Sequence, residues 1–135
     1  MSQSAPRVLI ADDEPHIRSV IRSIVTSLGG MVIIEAADGD QALQGFLESY
    51  PDVVILDINM PRLTGDVALA EMIARKPGIV AIMMTAQDTI STVRDCLDIG
   101  ARDYLLKSNS AEEIYRLMRQ AWIQNVADID ALEAA

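Results

Sequence analysis

Four places in the chain set reactive side chains directly after short apolar runs. Asp12, Asp13 and Glu14 follow Val8-Leu9-Ile10-Ala11, and Asp57 follows Val53-Val54-Ile55-Leu56. Thr85 follows the run 79–84, and Lys107 follows Tyr104-Leu105-Leu106. If Asp12, Asp13 and Asp57 converge, their charges cannot rest unassisted. Each like-charge pair at 4 Å costs roughly 1 kcal/mol in water and about 4 kcal/mol at an effective dielectric of 20. Either a pKa rises or a cation sits among them. Hard oxygen ligands with no nearby His or Cys favour Mg²⁺ over zinc. An aspartate in such a setting can attack phosphorus and form an acyl phosphate. Lys107 would balance charge on the transferring group, and the Thr85 hydroxyl would hydrogen-bond it afterwards.

Taken singly, each residue has a plainer explanation. An acidic pair at a strand–helix junction is often only a helix cap, and an Asp ending an apolar strand is common. A lone Thr after a strand is usually structural, and a lone Lys is usually solvated. Lys107 is more pointed, because Lys76 is the only other lysine. His16, the only histidine, reads as a surface residue, and Cys96 and the methionines read as packing residues. Joint placement at four successive run ends is what raises the chemical reading.

The elements must then bring those ends together. Runs 7–11, 31–35, 53–56 and 79–84 are too short for core helices and read as buried strands, with a weaker fifth at 104–106. Helical spacing fills the gaps at 14–28, 38–49, 65–75, 88–99 and 110–122. In the first helix Ile17, Val20, Ile21, Ile24, Val25 and Leu28 share a face, Pro15 fits the first turn and Gly29-Gly30 stops it. The second carries Ala42, Leu43, Phe46 and Leu47 inward; the third presents Val67, Leu69, Ala70, Met72 and Ile73. The fourth carries Ile90, Val93, Cys96 and Leu97, and the fifth opens on a Ser110–Glu113 capping box. Alternating βα units imply an α/β fold: a doubly wound five-stranded parallel sheet, (βα)5, strand order 2-1-3-4-5, flavodoxin-like. In that order strands one and three are neighbours at the winding switch, so Asp12, Asp13 and Asp57 should meet.

Composition narrows the function. The 135 residues carry 11 Lys plus Arg against 20 Asp plus Glu, a net charge of −9, and half are hydrophobic. Such a chain has no electrostatic reason to hold nucleic acid or an anionic membrane. Aromatics are too few, at 4%, for a base-stacking platform. One cysteine excludes an internal disulfide and fits a reducing compartment. No signal peptide or membrane-length run is visible, so a cytoplasmic protein is expected. Residues 1–124 read as one domain, with 125–135 an acidic extension of the last helix or a disordered tail.

With those motifs in place, the chain resembles a response-regulator receiver domain, the phosphoacceptor module of two-component signalling. The likeness runs from about Arg7 to Trp122 and rests on Val8–Pro15, Ala37–Leu43, the stretch 51–61 with Gly65, Thr85-Ala86, and 100–107. It implies that Asp57 is the phosphoacceptor and that Asp13, Asp57 and the main-chain carbonyl of Asn59 ligate Mg²⁺, with Asp12 acting through metal-bound water. Thr85 and Lys107 would contact the phosphoryl group, and Tyr104 would be the aromatic whose rotamer accompanies activation. Asn59 and Gln87 would border the phosphate's exposed side and modulate its lifetime. The donor would be a phosphohistidine on a histidine kinase or phosphotransfer protein. Output to a downstream protein, a linked effector or a second copy would pass through the fourth helix, fifth strand and fifth helix.

Two departures stand out. Ser108 follows Lys107 where the family commonly has Pro after a cis peptide; a non-proline cis bond costs about 3–4 kcal/mol, so trans is expected, with altered coupling of Lys107 to the output face. Asp66 stands where an apolar residue is common, so the third helix is expected to begin late or loosely. Two other readings remain open. One is a phosphohydrolase using an aspartyl phosphate, although Asn59 stands where such enzymes need a second acid. The other is an interaction module that is never phosphorylated. On the main reading the protein is a switch rather than an enzyme, catalysing only its own phosphoryl transfer and slow autodephosphorylation. The acidic stub lacks the basic pattern of a linker to a winged-helix domain, which favours a standalone or non-DNA output.

Overall fold

The structure, a computed structural model, describes residues 5–86, 90–107 and 110–126. Strands β1 (Arg7–Ala11), β2 (Met31–Ala36), β3 (Val53–Asp57), β4 (Val80–Thr85) and β5 (Asp103–Leu106) alternate with helices α1 (Pro15–Ser27), α2 (Gly39–Ser49), α3 (Gly65–Arg75), α4 (Ile90–Ile99) and α5 (Ala111–Asn125). All strand pairs are parallel, in the order β2-β1-β3-β4-β5. The expected doubly wound sheet is the fold observed.

The two-residue period of the strands divides the core into two layers. Val8, Ile10, Val53, Ile55, Val80 and Ile82 pack with Ile21 and Val25 of α1 and Ile114, Met118 and Trp122 of α5. Leu9, Ala11, Val54, Leu56, Ala81 and Met83 face Phe46 of α2, Leu69 and Met72 of α3, and Cys96 of α4. β3 and β4 are buried throughout, because helices cover both faces. The edge strands β2 and β5 are only partly buried, and β2 carries a register shift opposite Val8 and Leu9.

Several local expectations need correction. β2, β3 and β4 each run one residue further than the apolar pattern, to Ala36, Asp57 and Thr85, because ladder bonding does not stop where hydrophobicity does. Leu47, Val67 and Leu97 were expected to face inward, yet are 49%, 47% and 41% exposed. A helix lying on one sheet buries a narrow stripe, and each of these sits beside it. α3 does not begin late: it starts at Gly65, and Asp66 lies in a first turn whose unpaired N–H groups favour a negative charge. At α5 the Ser110 hydroxyl accepts from the Glu113 amide at 3.1 Å, but the Glu113 carboxylate turns to Arg116, one turn on, instead of closing the box. α5 continues past Trp122 to Asn125. The expected helix start at Asp88 and the tail from residue 127 lie outside the described residues.

Candidate functional site

Register alone assembles the site. Ala11 pairs with Leu56 across β1 and β3, so the next residues, Asp12 and Asp57, emerge side by side. Asp57 pairs with Met84, and Thr85 with Leu106, so Thr85 and Lys107 arrive at the same sheet edge. Asp12, Asp57 and Lys107 continue the alternation of Ile10, Ile55 and Leu105, which places all three on the α1/α5 side of that edge.

Carboxylate oxygens of Asp12, Asp13 and Asp57 lie within 4.8 Å of one another. Asp12 and Asp57 are buried and Asp13 is exposed, so the cluster has two walls and a mouth. Lys107 Nζ reaches across it, 3.0 Å from Asp57 Oδ2, 3.0 Å from Asp12 Oδ2 and 3.2 Å from Glu14 Oε1. The Asn59 amide donates to Asp57 Oδ1 at 3.2 Å, and the Glu14 amide donates to Asp12 Oδ1 at 2.8 Å. The acidic pair is therefore not a helix cap: the N-cap of α1 is Glu14, whose side chain makes no capping bond.

Burial pushes the Asp57 carboxyl up to about 6, and the neighbouring Asp12 charge pushes the same way against Lys107. Asp12 is also raised, again chiefly by burial. Burial works against the Lys107 charge, but hydrogen bonds to Asp57 and Asp12 outweigh it and hold the ammonium protonated. Asp12, Asp13, Asp57 and Glu14 against one ammonium leave a deficit of three positive charges. Asp12 Oδ2 is buried and, although ion-paired to Lys107, receives no hydrogen bond. All-oxygen donors, an excess of negative charge and an undersatisfied buried oxygen fit a hard divalent cation.

The loop after β3 is held close. Gly65 N donates to the Ile58 carbonyl at 2.8 Å, and a Cβ on Gly65 would stand 2.1 Å from the Asp57 carbonyl oxygen. Only glycine permits that approach. Thr85 is buried and its hydroxyl donates to the Ala86 carbonyl at 2.8 Å, while its own carbonyl accepts from the Lys107 amide at 2.9 Å. Tyr104 stands on β5 at 46% exposure, with its ring at the surface. Gln87 and the Lys107–Ser108 peptide lie outside the described residues. His16 is exposed, and Cys96 is buried with its thiol pushed up to about 11 by burial and by Asp66 and Asp95, as suits a packing residue. Sequence reasoning passed over Glu14 as a partner of Lys107, and it passed over Arg18, whose Nη1 donates to the Asp12 carbonyl at 2.7 Å. The available signal for Arg18 was Glu35, a lone acid in the apolar run of β2 that needs a cationic partner.

Comparison with known proteins agrees with this geometry. Residues 8–119 match the family described as the response regulator receiver domain. The chemotaxis protein CheY of Listeria monocytogenes is 34% identical over 115 residues, which span 85% of this chain and 97% of that protein. Regulatory protein AtoC of Escherichia coli is 36% identical over 115 residues, but these are 25% of its length. Among solved structures, the CheX–CheY–BeF3–Mg complex of Borrelia burgdorferi superposes with a TM-score of 0.76 at 30% identity, covering 86% of this chain and 88% of that one. A CheY-like receiver domain protein of Methanospirillum hungatei gives 0.78 over 93% and 99% of the two chains; at 23% identity it speaks to the fold. No helix among the described residues is long and apolar enough to cross a membrane. By sequence and fold together, the chain belongs to the response regulator receiver domains of two-component signalling.

Proposed function

We propose that Asp57 accepts a phosphoryl group from a phosphohistidine and that the resulting acyl phosphate switches the surface formed by α4, β5 and α5. The observation that carries this is the Lys107 ammonium, 3.0 Å from both Asp57 and Asp12, beside an acidic cluster with charge to spare. An Asp57 oxygen attacks phosphorus, the P–N bond breaks, and the departing imidazole keeps the electron pair and takes up a proton. Asp57 must be ionised to attack, and Lys107, by pairing with it, favours that form. Asp13, Asp57 and the Asn59 carbonyl would hold Mg²⁺, with Asp12 acting through water. The ion supplies charge neutralisation for the transferring group.

After transfer, Lys107 is placed to pair with a phosphoryl oxygen and the Thr85 hydroxyl to exchange its Ala86 carbonyl for the phosphate. That exchange would pull the β4–α4 connection toward the site, and Tyr104 would follow from its exposed position. Asn59 and Gln87 would flank the route of hydrolytic water. The partners are a cytoplasmic histidine kinase or phosphotransfer protein upstream, and a protein that reads the α4–β5–α5 surface downstream. Support for the metal and for a phosphoryl-like ligand comes from the Borrelia CheY, which is solved with BeF3 and Mg.

Incubation with a small phosphodonor and Mg²⁺ should add one phosphoryl group by mass, and Asp57→Asn should abolish it. Persistent modification of the Asp57→Asn protein would defeat the site assignment. Failure of the wild-type protein to bind Mg²⁺ or beryllofluoride would favour an unphosphorylated interaction module. Multiple turnover on a phosphomonoester would instead point to a hydrolase.

A further inference from the structure

We propose that Arg18 is a positioning residue for metal binding: by clamping the Asp12 carbonyl to Glu35 it fixes the peptide plane from which Asp13 projects. Asp12 is held on three sides. Its amide donates to the Ala36 carbonyl of β2 at 3.0 Å, and its Oδ1 accepts from Glu14 N at 2.8 Å. Its carbonyl accepts from Arg18 Nη1 at 2.7 Å. The first bond sets the Asp12 amide; the second closes a turn through the Asp12–Asp13 peptide, and the Arg18 bond adds the hold on that peptide's carbonyl. Because the peptide unit is planar, fixing that carbonyl fixes the Asp13 amide and the direction in which its side chain leaves the chain.

Arg18 can do this because it is anchored in turn. Its buried Nε lies 3.4 Å from Glu35 Oε1, an ion pair that is not a hydrogen bond; its side chain is only 20% exposed, and Glu35 also pairs with Arg22. The rigid guanidinium fork spans a carbonyl and a carboxylate at once, which a lysine ammonium does not do in the same geometry. Asp13 is exposed, and its direction follows from its backbone. The inference rests on the proposed role of Asp13 in holding Mg²⁺.

Charge and position predict opposite signs, which makes the test sharp. Removing a positive charge near a divalent-cation site should tighten binding by Coulomb's law. Removing the support of a metal-binding acid should weaken it, by roughly tenfold for partners of metal ligands. Mg²⁺ titration followed by backbone amide shifts reads the affinity in the absence of any phosphodonor. Arg18→Met is expected to weaken Mg²⁺ binding about tenfold, and Arg18→Lys by less. Arg22→Met, which removes a nearby charge without touching Asp12, should bind as wild type or slightly tighter. Phosphoryl uptake by Arg18→Met should recover at saturating Mg²⁺. A folded Arg18→Met protein with equal or tighter affinity, or an Arg22→Met protein weakened just as much, overturns the inference. If Arg18→Met does not fold, Arg18→Lys and Glu35→Gln decide the question by the same affinity measurement. A wild-type protein showing no Mg²⁺-dependent shifts at Asp13, Asp57 and Asn59 overturns the parent reading and the inference with it, whereas the Arg18 outcomes overturn the inference alone.

Discussion

The two ends of the sheet each hold one of the chain's two lysines paired with acid, and they differ in how the charges balance. At the amino-terminal end Lys76 Nζ donates to the Pro51 carbonyl at 2.8 Å, lies 3.8 Å from Asp52 Oδ1 and sits over the Tyr50 ring. Asp52 Oδ2 accepts from the Arg7 amide at 2.9 Å, and Arg7 Nη1 reaches the Tyr50 carbonyl. One acid meets one cation and one backbone amide, each from a residue with a second anchor, and the result is a staple. At the carboxyl-terminal end Lys107 is shared by Asp12, Glu14 and Asp57, with Asp13 beside them. Similar side chains make a closed network at one edge and an unbalanced, ligand-seeking one at the other. What separates structure from site here is the ratio of acids to bases under burial.

The pH dependence of stability should expose that imbalance most strongly. The folded carboxyl of Asp57 titrates near 6, above the 3.8 of an ordinary aspartate, so the folded state holds the proton more tightly than the unfolded chain. Its contribution is fully present below the unfolded pKa and is lost as pH rises through about 6. In the absence of metal, stability should therefore fall between about pH 4 and pH 7 by up to about 3 kcal/mol. Urea denaturation in a chelator at several pH values measures it. Asp57→Asn should flatten most of the slope, leaving the part due to Asp12, while Asp52→Asn at the other edge should leave it intact. An unchanged slope in Asp57→Asn would mean that the acidic edge is not where the imbalance lies.

Much of this contrast was legible in the chain. Apolar runs ending in Asp57, Thr85 and Lys107 named both the strands and the edge, because parallel strands must present their carboxyl ends together. Side-chain reach was not legible. A helical arginine such as Arg18 reads as solvated, and only the pairing of β1 with β2 shows that Glu35 and the Asp12 carbonyl stand within its span. Inward positions were misjudged where the helical pattern was broad, as at Leu47, because period identifies a face but not the width of the sheet beneath it. Nor does sequence reveal how tightly Gly65 approaches Asp57, since a glycine before a helix is equally at home in an open loop.

Two glycines carry the comparison into the backbone. At Gly65 an added Cβ would meet the Asp57 carbonyl oxygen at 2.1 Å and backbone carbon at 2.9 Å, and backbone cannot swing aside as a flexible side chain can. Gly65→Ala should cost about 2 kcal/mol and slow phosphoryl uptake, because relief requires moving α3 or Asp57 itself. At Gly78, near the amino-terminal end of β4, a Cβ would meet nothing within 4 Å. Gly78→Ala should stay within about 1 kcal/mol of wild type and take up phosphate normally. Thermal denaturation and mass spectrometry of the two variants give both readouts, and equal effects would remove the special tightness claimed for the site edge.

The smallest expected effect concerns the staple. Lys76→Met removes the bond to the Pro51 carbonyl, the ion pair with Asp52 and the charge over Tyr50. Much of that loss is replaceable. Asp52 keeps its bond from the Arg7 amide, and the methionine chain can still cover the Tyr50 ring, whose hydroxyl remains bonded to the Arg75 carbonyl. The Lys76 side chain is 22% exposed, so its ion pair is partly screened. The cost should therefore be about 1 kcal/mol, close to that of one hydrogen bond, read as a small shift in the urea midpoint. Mg²⁺ affinity and phosphoryl uptake should not move, because the buried length of β3 separates Asp52 from Asp57. A change in uptake would show that the two edges communicate through that strand, and that Lys76 is more than a staple.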